Sequence, residues 1–231
     1  MFEKLINWSA QNYSDLPWRK NRTLYHTLVS EIMLQQTTVS TVKNHFERFI
    51  KKYPNITALA KASEDEILMD WKGLGYYRRA KNLLKSAKTI QESYQGEIPL
   101  KQQALLEITG IGPYTANAIL GIGANKNYLA LDANLERVLS RLYAIKEKKG
   151  PALQKKIQKL FDEGQIASEI FDVGGRLYNE SLMDLGRSIC MANKAYCELC
   201  PLSKKCSAYQ FGHPLMYPQK VEKVKKSFEL H

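Results

Sequence analysis

The chain has 231 residues, 44% of them hydrophobic and 25% charged, enough to bury one large core or two modest ones and too apolar for a disordered chain. Its 13 Gly and 8 Pro are too few for a linker-rich or collagen-like chain, and no low-complexity block or fixed-period repeat interrupts it. Thirty-four Lys and Arg against 23 Asp and Glu give a net charge of +11 and a pI near 9.4. That balance favours a polyanionic partner, because clustered cations release condensed counterions when they meet phosphates. No stretch approaches the roughly 18 uncharged apolar residues of a membrane span, and Glu3 and Lys4 stand where a signal peptide would carry its apolar segment. A soluble intracellular protein with no membrane partner is expected.

Helical periodicity dominates and sustained alternation is scarce, so the fold class is all-α. Tyr25, Leu28, Val29, Ile32 and Met33 form the first amphipathic stripe. Glu31 points well away from it, onto a face where most glutamates are solvated. Val39, Val42, Phe46, Phe49, Ile50 and Tyr53 form a second stripe, closed by Pro54. Ser63 and Glu66 read as a capping box ahead of Ile67, Leu68 and Trp71, and Gly73 and Gly75 break that short helix. Between Lys72 and Lys88 lie six basic residues and no acidic one. Of these, Arg78, Lys81, Lys85 and Lys88 recur at helical spacing, a face that suits phosphates or plain solvent equally.

Residues 105–116, Leu-Leu-Glu-Ile-Thr-Gly-Ile-Gly-Pro-Tyr-Thr-Ala, read as helix, glycine turn, helix, with Pro113 in the first turn of the second helix. Two glycines let the backbone approach a ligand, and free N–H groups at the helix start favour an anion. The string resembles a helix-hairpin-helix, the alternative being a plain helix–helix turn, and that resemblance implies Gly110, Gly112 and Thr115 as DNA-phosphate contacts, of a kind that grips DNA without reading its sequence. Leu135, Val138, Leu139, Leu142 and Ile145 define a later helix ending near Gly150, and further helices are expected over 152–162 and 176–188. The helices should form two lobes.

All four cysteines fall in the last fifth of the chain, as Cys190, Cys197, Cys200 and Cys206, in the pattern C-x6-C-x2-C-x5-C. In a chain without a secretion signal such crowding points to a metal centre rather than to disulfides. Four thiolates suit tetrahedral zinc or a cubane iron–sulfur cluster. Structural zinc sites usually pair their ligands in two close knuckles, whereas only Cys197 and Cys200 form such a pair here. The longer gaps suit a loop wrapped round a larger object, so a [4Fe-4S] cluster is expected ahead of zinc.

Hairpin, downstream Asp132 and four-cysteine loop follow one another as in the helix-hairpin-helix DNA glycosylases related to endonuclease III, which the chain resembles over roughly residues 5–206. Within that superfamily the segments Leu16-Pro17-Trp18-Arg19, Ser30-Glu31-Ile32-Met33-Leu34-Gln35-Gln36-Thr37, Gly73-Leu74-Gly75-Tyr76-Tyr77, Leu131-Asp132-Ala133-Asn134 and Met183-Asp184-Leu185-Gly186 look like MutY-type adenine DNA glycosylases. The resemblance implies a six-helix barrel domain over 22–130 with its hairpin at 105–120, a second lobe of 1–21 plus 131–210 holding the catalytic aspartate and the [4Fe-4S] loop, and a basic tail over 211–231. It implies a monomeric, cytoplasmic, nucleoid-associated enzyme of base excision repair. Its partner is double-stranded DNA containing a mismatch, from which it hydrolyses the N-glycosidic bond of adenine opposite 8-oxoguanine or guanine.

Such an enzyme must evert the target nucleotide and fill the vacated stack. Gln36 and Tyr76 match the family's intercalating positions, although Gln36 alone reads as a helix-end polar residue. Trp18, Arg19, Leu34, Val39 and Glu180 match positions lining the adenine pocket, although Trp18, Leu34 and Val39 read equally as core. Glu31 matches the general acid and base. Protonating adenine N7 makes the base a better leaving group, which needs a carboxylic acid whose pKa is raised by partial burial. Asp132 matches the carboxylate that stabilises or captures the oxocarbenium-like sugar, and also reads as the N-cap of a helix beginning near Ala133. Asn134 and Tyr114 match residues that hydrogen-bond around these groups. Bifunctional relatives carry a Schiff-base lysine where this chain has Tyr114, and a phenol forms no imine. A monofunctional glycosylase is the expectation.

Two features depart from the adenine branch. Only 25 residues follow Cys206, among them Lys220, Lys223, Lys225 and Lys226, too few for the separate 8-oxoguanine-recognition domain of typical members. Ala133 stands where glycine is usual. Mismatch glycosylases that remove thymine or uracil opposite guanine also lack that domain and can carry Tyr at the hairpin position, so they are the alternative. A non-catalytic DNA-binding iron–sulfur protein is the other.

Overall fold

The computed structural model describes residues 2–219, so the four lysines singled out in the basic tail lie outside the described residues. Among those described there is no β-strand beyond two isolated bridges, and no helix is long and apolar enough to cross a membrane. The chain opens with α1 (Glu3–Tyr13) and α2 (Pro17–Lys20). It continues through α3 (Leu24–Leu34) and α4 (Val39–Lys52), where Thr23 and Thr38 accept the backbone N–H of His26 and Thr41 as N-caps. Next come α5 (Ile56–Ala60) and α6 (Glu64–Asp70), the latter opened by the Ser63–Glu66 capping box. In the basic α7 (Arg78–Tyr94), Arg78, Lys85 and Lys88 face solvent, and Lys81 pairs with Glu64 at 2.6 Å. Arg79 departs from this pattern and is buried.

The glycine-turn hairpin is made by α8 (Gln102–Glu107) and α9 (Pro113–Ala118), and α9 runs on into a π-helical turn, Ile119–Gly123. Beyond it follow α10 (Ala133–Leu142), α11 (Pro151–Asp162), α12 (Gln165–Val173), α13 (Gly175–Ser188) and the short α14 (Ser207–Gln210). Two hydrophobic cores result. The first runs from Leu16 to Leu120 around Phe46, Trp71 and Leu83, and the second joins Phe2 and Leu5 to residues 129–202. Packing of α1 on α13 ties the chain start to the second core. Leu16 and Trp18 cross into the first, so the division expected at residue 21 falls between α1 and α2.

Two helices differ from their sequence patterns. The helix expected to end near Gly150 stops at Leu142, because Ala144 turns to φ 49° and Gly150, at φ 127°, instead precedes α11 as its N-cap. Ile145 still reaches the core, from a loop. In α3 every residue from Tyr25 to Met33 is buried, including Ser30 and Glu31. It packs against α2, α4, α7, α9 and the π-turn, which leaves a cleft wall, with Thr27, Ser30, Glu31 and Leu34, to meet solvent.

The hairpin turn separates two glycine requirements. Gly110 has φ 97°, and a Cβ there would stand 2.6 Å from the Asn82 carbonyl oxygen and 2.8 Å from Ser86 Oγ. Gly112 has an ordinary φ of −92° and open space around its missing Cβ. Gly110→Ala is predicted to cost about 2 kcal/mol or more, a fall of roughly 4–8 °C in calorimetric midpoint. Gly112→Ala should leave the midpoint unchanged.

Candidate active site

A cleft of about 1060 Å³ is lined by α2, α3 and the loop after it from one side, and by the starts of α9 and α10 and the C-terminal part of α13 from the other. Ten of the residues singled out in the sequence line it: Trp18, Arg19, Glu31, Leu34, Gln36, Val39, Tyr114, Asp132, Asn134 and Glu180. Trp18 is also core, packed edge-on against Phe46. Leu34 and Val39 pack half-buried against the same core, so pocket and packing roles coincide. Tyr76, Gly110, Gly112 and Thr115 do not line the cleft. Tyr76 is exposed, and Thr115 is buried with its hydroxyl 3.5 Å from Gln35 Nε2. The Thr115 side chain therefore faces the protein, leaving its backbone N–H as the group with which it could meet a phosphate.

Glu31 sits in the last full turn of α3 and is 6% exposed. The Tyr114 hydroxyl, presented from the first turn of α9, donates to its Oε2. Burial pushes the Glu31 carboxyl up to about 7; the nearby Asp132 and Glu180 charges add to the rise, while the Tyr114 bond and Arg19 oppose it. Burial also holds the Tyr114 phenol well above its ordinary range, so it remains a donor at neutral pH. Raised by burial to about 7, the Glu31 carboxyl stands close to its midpoint at neutral pH, the range in which a group both gives and takes a proton.

Asp132 is held differently. It is the N-cap of α10, and its Oδ1 accepts the backbone N–H of Asn134 at 3.0 Å and of Leu135 at 2.7 Å. Its Oδ2 accepts Asn134 Nδ2 at 2.8 Å. Burial raises its pKa as well, a rise that these three donors and Arg137 reduce without reversing. Both carboxyls in the cleft are thus pushed upward by burial, Glu31 with a single hydrogen-bond donor on it and Asp132 with three.

A charged frame surrounds them. Asp184 accepts Ser9 Oγ at 2.5 Å and both terminal nitrogens of Arg19, at 2.8 and 3.1 Å. Arg19 Nε is left without a hydrogen-bond partner, 3.5 Å from Glu180 Oε1. Arg22 binds the same Glu180 oxygen at 2.5 Å. Arg22, Ile122, Asp184 and Arg187 are cleft residues that the sequence reading missed. Asp184 lay inside a quoted motif, but no local pattern marks Arg22 or Arg187, whose roles depend on tertiary partners.

Asn134 also leads away from the cleft. Arg137 donates to Asn134 Oδ1 at 2.8 Å and through Nε to the Cys190 carbonyl at 2.7 Å. Arg141 reaches Cys190 Sγ at 3.2 Å, and Cys206 Sγ lies 3.4 Å from the Arg141 carbonyl. The four cysteines are all free thiols. Cys200 is close enough to the other three to feel their charges. Among the described residues no three His, Cys, Asp or Glu side chains converge tightly enough to grip a single metal ion.

Residues 29–163 match the family described as HhH-GPD superfamily base excision DNA repair protein, and the chain belongs to that superfamily. It is 41% identical over 226 residues to an adenine DNA glycosylase of Buchnera aphidicola subsp. Schizaphis graminum, a match covering 96% of this chain and 64% of that protein. It is 35% identical over 209 residues to a thymine-DNA glycosylase of Aeropyrum pernix, covering 89% of this chain and 92% of that one. A solved thermostable thymine-DNA glycosylase shares the fold with a TM-score of 0.74 at 30% identity, covering 90% of this chain and 94% of that one. The chain spans about three fifths of the length of the bacterial adenine DNA glycosylases it matches.

The raised pKa of Glu31 makes folding pH-dependent. Between the ordinary carboxylate value of 4.5 and about 7 the folded state holds a proton that the unfolded chain has lost, so stability declines as pH rises through that window. Glu31→Gln removes the term. The variant is predicted to match the parent at pH 4.5 and to exceed it by about 2–3 kcal/mol at pH 8, measured by urea unfolding at both pH values.

Proposed function

We propose that the chain is a monofunctional DNA glycosylase of base excision repair that hydrolyses the N-glycosidic bond of adenine mispaired with 8-oxoguanine or guanine. The observation that carries this reading is the meeting of Glu31 and Asp132 in one cleft, the first accepting one hydrogen bond and the second three. An adenine everted into the cleft is protonated at N7 by neutral Glu31, and the C1′–N9 bond then breaks with its electrons passing to the base. Ionised Asp132 stabilises the positive sugar. Glu31, now a carboxylate held by Tyr114, takes the proton of the water that completes the reaction. Tyr114 cannot form an imine with the sugar, so the product is an abasic site.

Several surfaces support DNA binding. Gln36 and Tyr76 carry exposed side chains on left-handed apexes, at φ 58° and 48°, as wedges for the vacated stack. The Gly110–Gly112 turn offers backbone N–H groups to a phosphate beside the basic face of α7.

The adenine reading is favoured over thymine by Glu31, a carboxylic acid suited to protonating a purine N7, an atom that thymine lacks. Glu180, held in the cleft by two arginines, offers an acceptor that either the N6 amine of an everted adenine or the N3–H of an everted thymine can meet. The thymine or uracil reading keeps its own support in the archaeal thymine-DNA glycosylase, most of whose length this chain matches.

Cys190, Cys197, Cys200 and Cys206 would hold a [4Fe-4S] cluster. Their C-x6-C-x2-C-x5-C spacing, with a single close pair, suits a cubane better than one zinc ion. The cluster would supply a structural cross-link for the loop bearing Lys194, Lys204 and Lys205, and no step of hydrolysis. Arg137 and Arg141 fasten that loop to α10.

Single-turnover incubation with duplexes carrying A:8-oxoG, A:G, T:G and U:G, followed by alkali, tests the reading. Breaks are expected only after alkali and only at the adenine duplexes. Cleavage at T:G or U:G alone would assign the second reading, and silence on all four would remove the enzyme assignment. Glu31→Gln should slow excision by about 10²–10⁴-fold with duplex affinity retained. The parent rate should fall above pH about 7 as Glu31 loses its proton.

A further inference from the structure

Arg79 belongs by sequence to a solvated basic helix, yet it is buried and forms no ion pair among the described residues. Its guanidinium is met by backbone instead. Nη1 donates to the carbonyls of Ile32 at 3.0 Å, Met33 at 2.8 Å and Gln35. Nη2 donates to Thr37 Oγ1 at 2.9 Å, to the Leu74 carbonyl at 2.9 Å and to the Gly75 carbonyl at 3.1 Å. The first set lies at the C-terminal end of α3, where the unpaired carbonyls of the helix favour a cation. The second lies mainly in the loop that follows α6. The Trp71 and Tyr76 rings pack against the same guanidinium, 5.6 and 5.5 Å from it.

Both loops touched by Arg79 end in a residue that is unfavourable in its own backbone conformation. Gln36 and Tyr76 carry a Cβ, yet stand in the left-handed region, which persists only where surroundings impose it. The bonds of Arg79 fall on both residues flanking Gln36, at 35 and 37, and on the two residues that precede Tyr76, at 74 and 75. A direct tie from Thr37 Oγ1 to the Leu74 carbonyl at 3.3 Å completes the link.

We propose that Arg79 is a positioning residue that locks these two loops into one rigid unit, so that Gln36 and Tyr76 enter the DNA stack together. The proposal rests on the reading of those two side chains as wedges. Two loops ordered separately would each lose conformational freedom on binding; a unit ordered beforehand does not. Lysine cannot replace it, since an ammonium offers three donors at a point where six acceptors lie on two sides of a planar fork.

A rate cycle tests this. Arg79→Lys is measured in single-turnover adenine excision, alone and in a Gln36→Ala/Tyr76→Ala background, alongside duplex affinity and thermal midpoint. Alone it is expected to slow excision about tenfold or more, and in the background to change it by no more than about twofold. An equal loss in both backgrounds, or no loss alone, would overturn the proposal, because a purely structural arginine acts whether or not the wedges are present. Should Arg79→Lys lower the midpoint, Thr37→Val, which removes one tie only, is put through the same cycle and is held to the same criterion. Eversion is followed separately by the fluorescence of 2-aminopurine at the target position, a readout that needs no bond cleavage. Absence of excision by the parent would count against the proposed function, whereas a 2-aminopurine signal unaffected by Arg79→Lys would count against the role of Arg79.

Discussion

Taking the carboxyl group of Glu31 out of water costs folding energy at neutral pH, and the structure keeps it there against that cost. The helix that carries it is packed among α4, α7, α9 and the π-turn, and Glu31 itself is 6% exposed at the wall of the cleft. Its one hydrogen-bond donor, Tyr114, comes from the helix that begins at the glycine turn. The glycine turn and the hydroxyl that bonds Glu31 are therefore joined through the first turn of α9.

The second carboxylate comes from the other core and is governed by local helix physics. Asp132 caps α10, and the donors that cap a helix also keep an acid ionised. The same helix carries Arg137 and Arg141 to the cysteine loop, so the position of Asp132 is tied to a region well outside the cleft. Around both carboxyls, Arg19, Asp184 and Glu180 form a preset electrostatic frame. Charges fixed before a substrate arrives need no rearrangement as charge develops, which is the condition under which they lower a barrier most.

Much of this was legible in the sequence because it depends on short-range rules. The Ser63–Glu66 box, Pro113 at a helix start, the stripe of α4 and the cap at Asp132 are all decided within a few residues, and each took its expected form. Glu31 could be singled out only through its motif, since the pattern of its own helix placed it on a face normally wet. What turns that face inward is contact with α9 and the π-turn, more than 80 residues away in sequence. Arg79 was hidden for the same reason. In a run of six basic residues nothing local separates the one that meets six acceptors at the end of α3 and in two loops from the others, which face solvent or, for Lys81, pair with Glu64.

The account depends most on Glu31 being a neutral acid near physiological pH, and the carboxyl can be observed directly. Carbon-13 NMR of protein labelled at the glutamate side-chain carboxyl, followed from pH 4 to pH 9, should show one glutamate titrating with a midpoint at about 7, a resonance missing from Glu31→Gln protein. A Glu31 resonance that titrates in the ordinary carboxylate range would contradict the claim, for the cleft would then hold two anions and no proton to give.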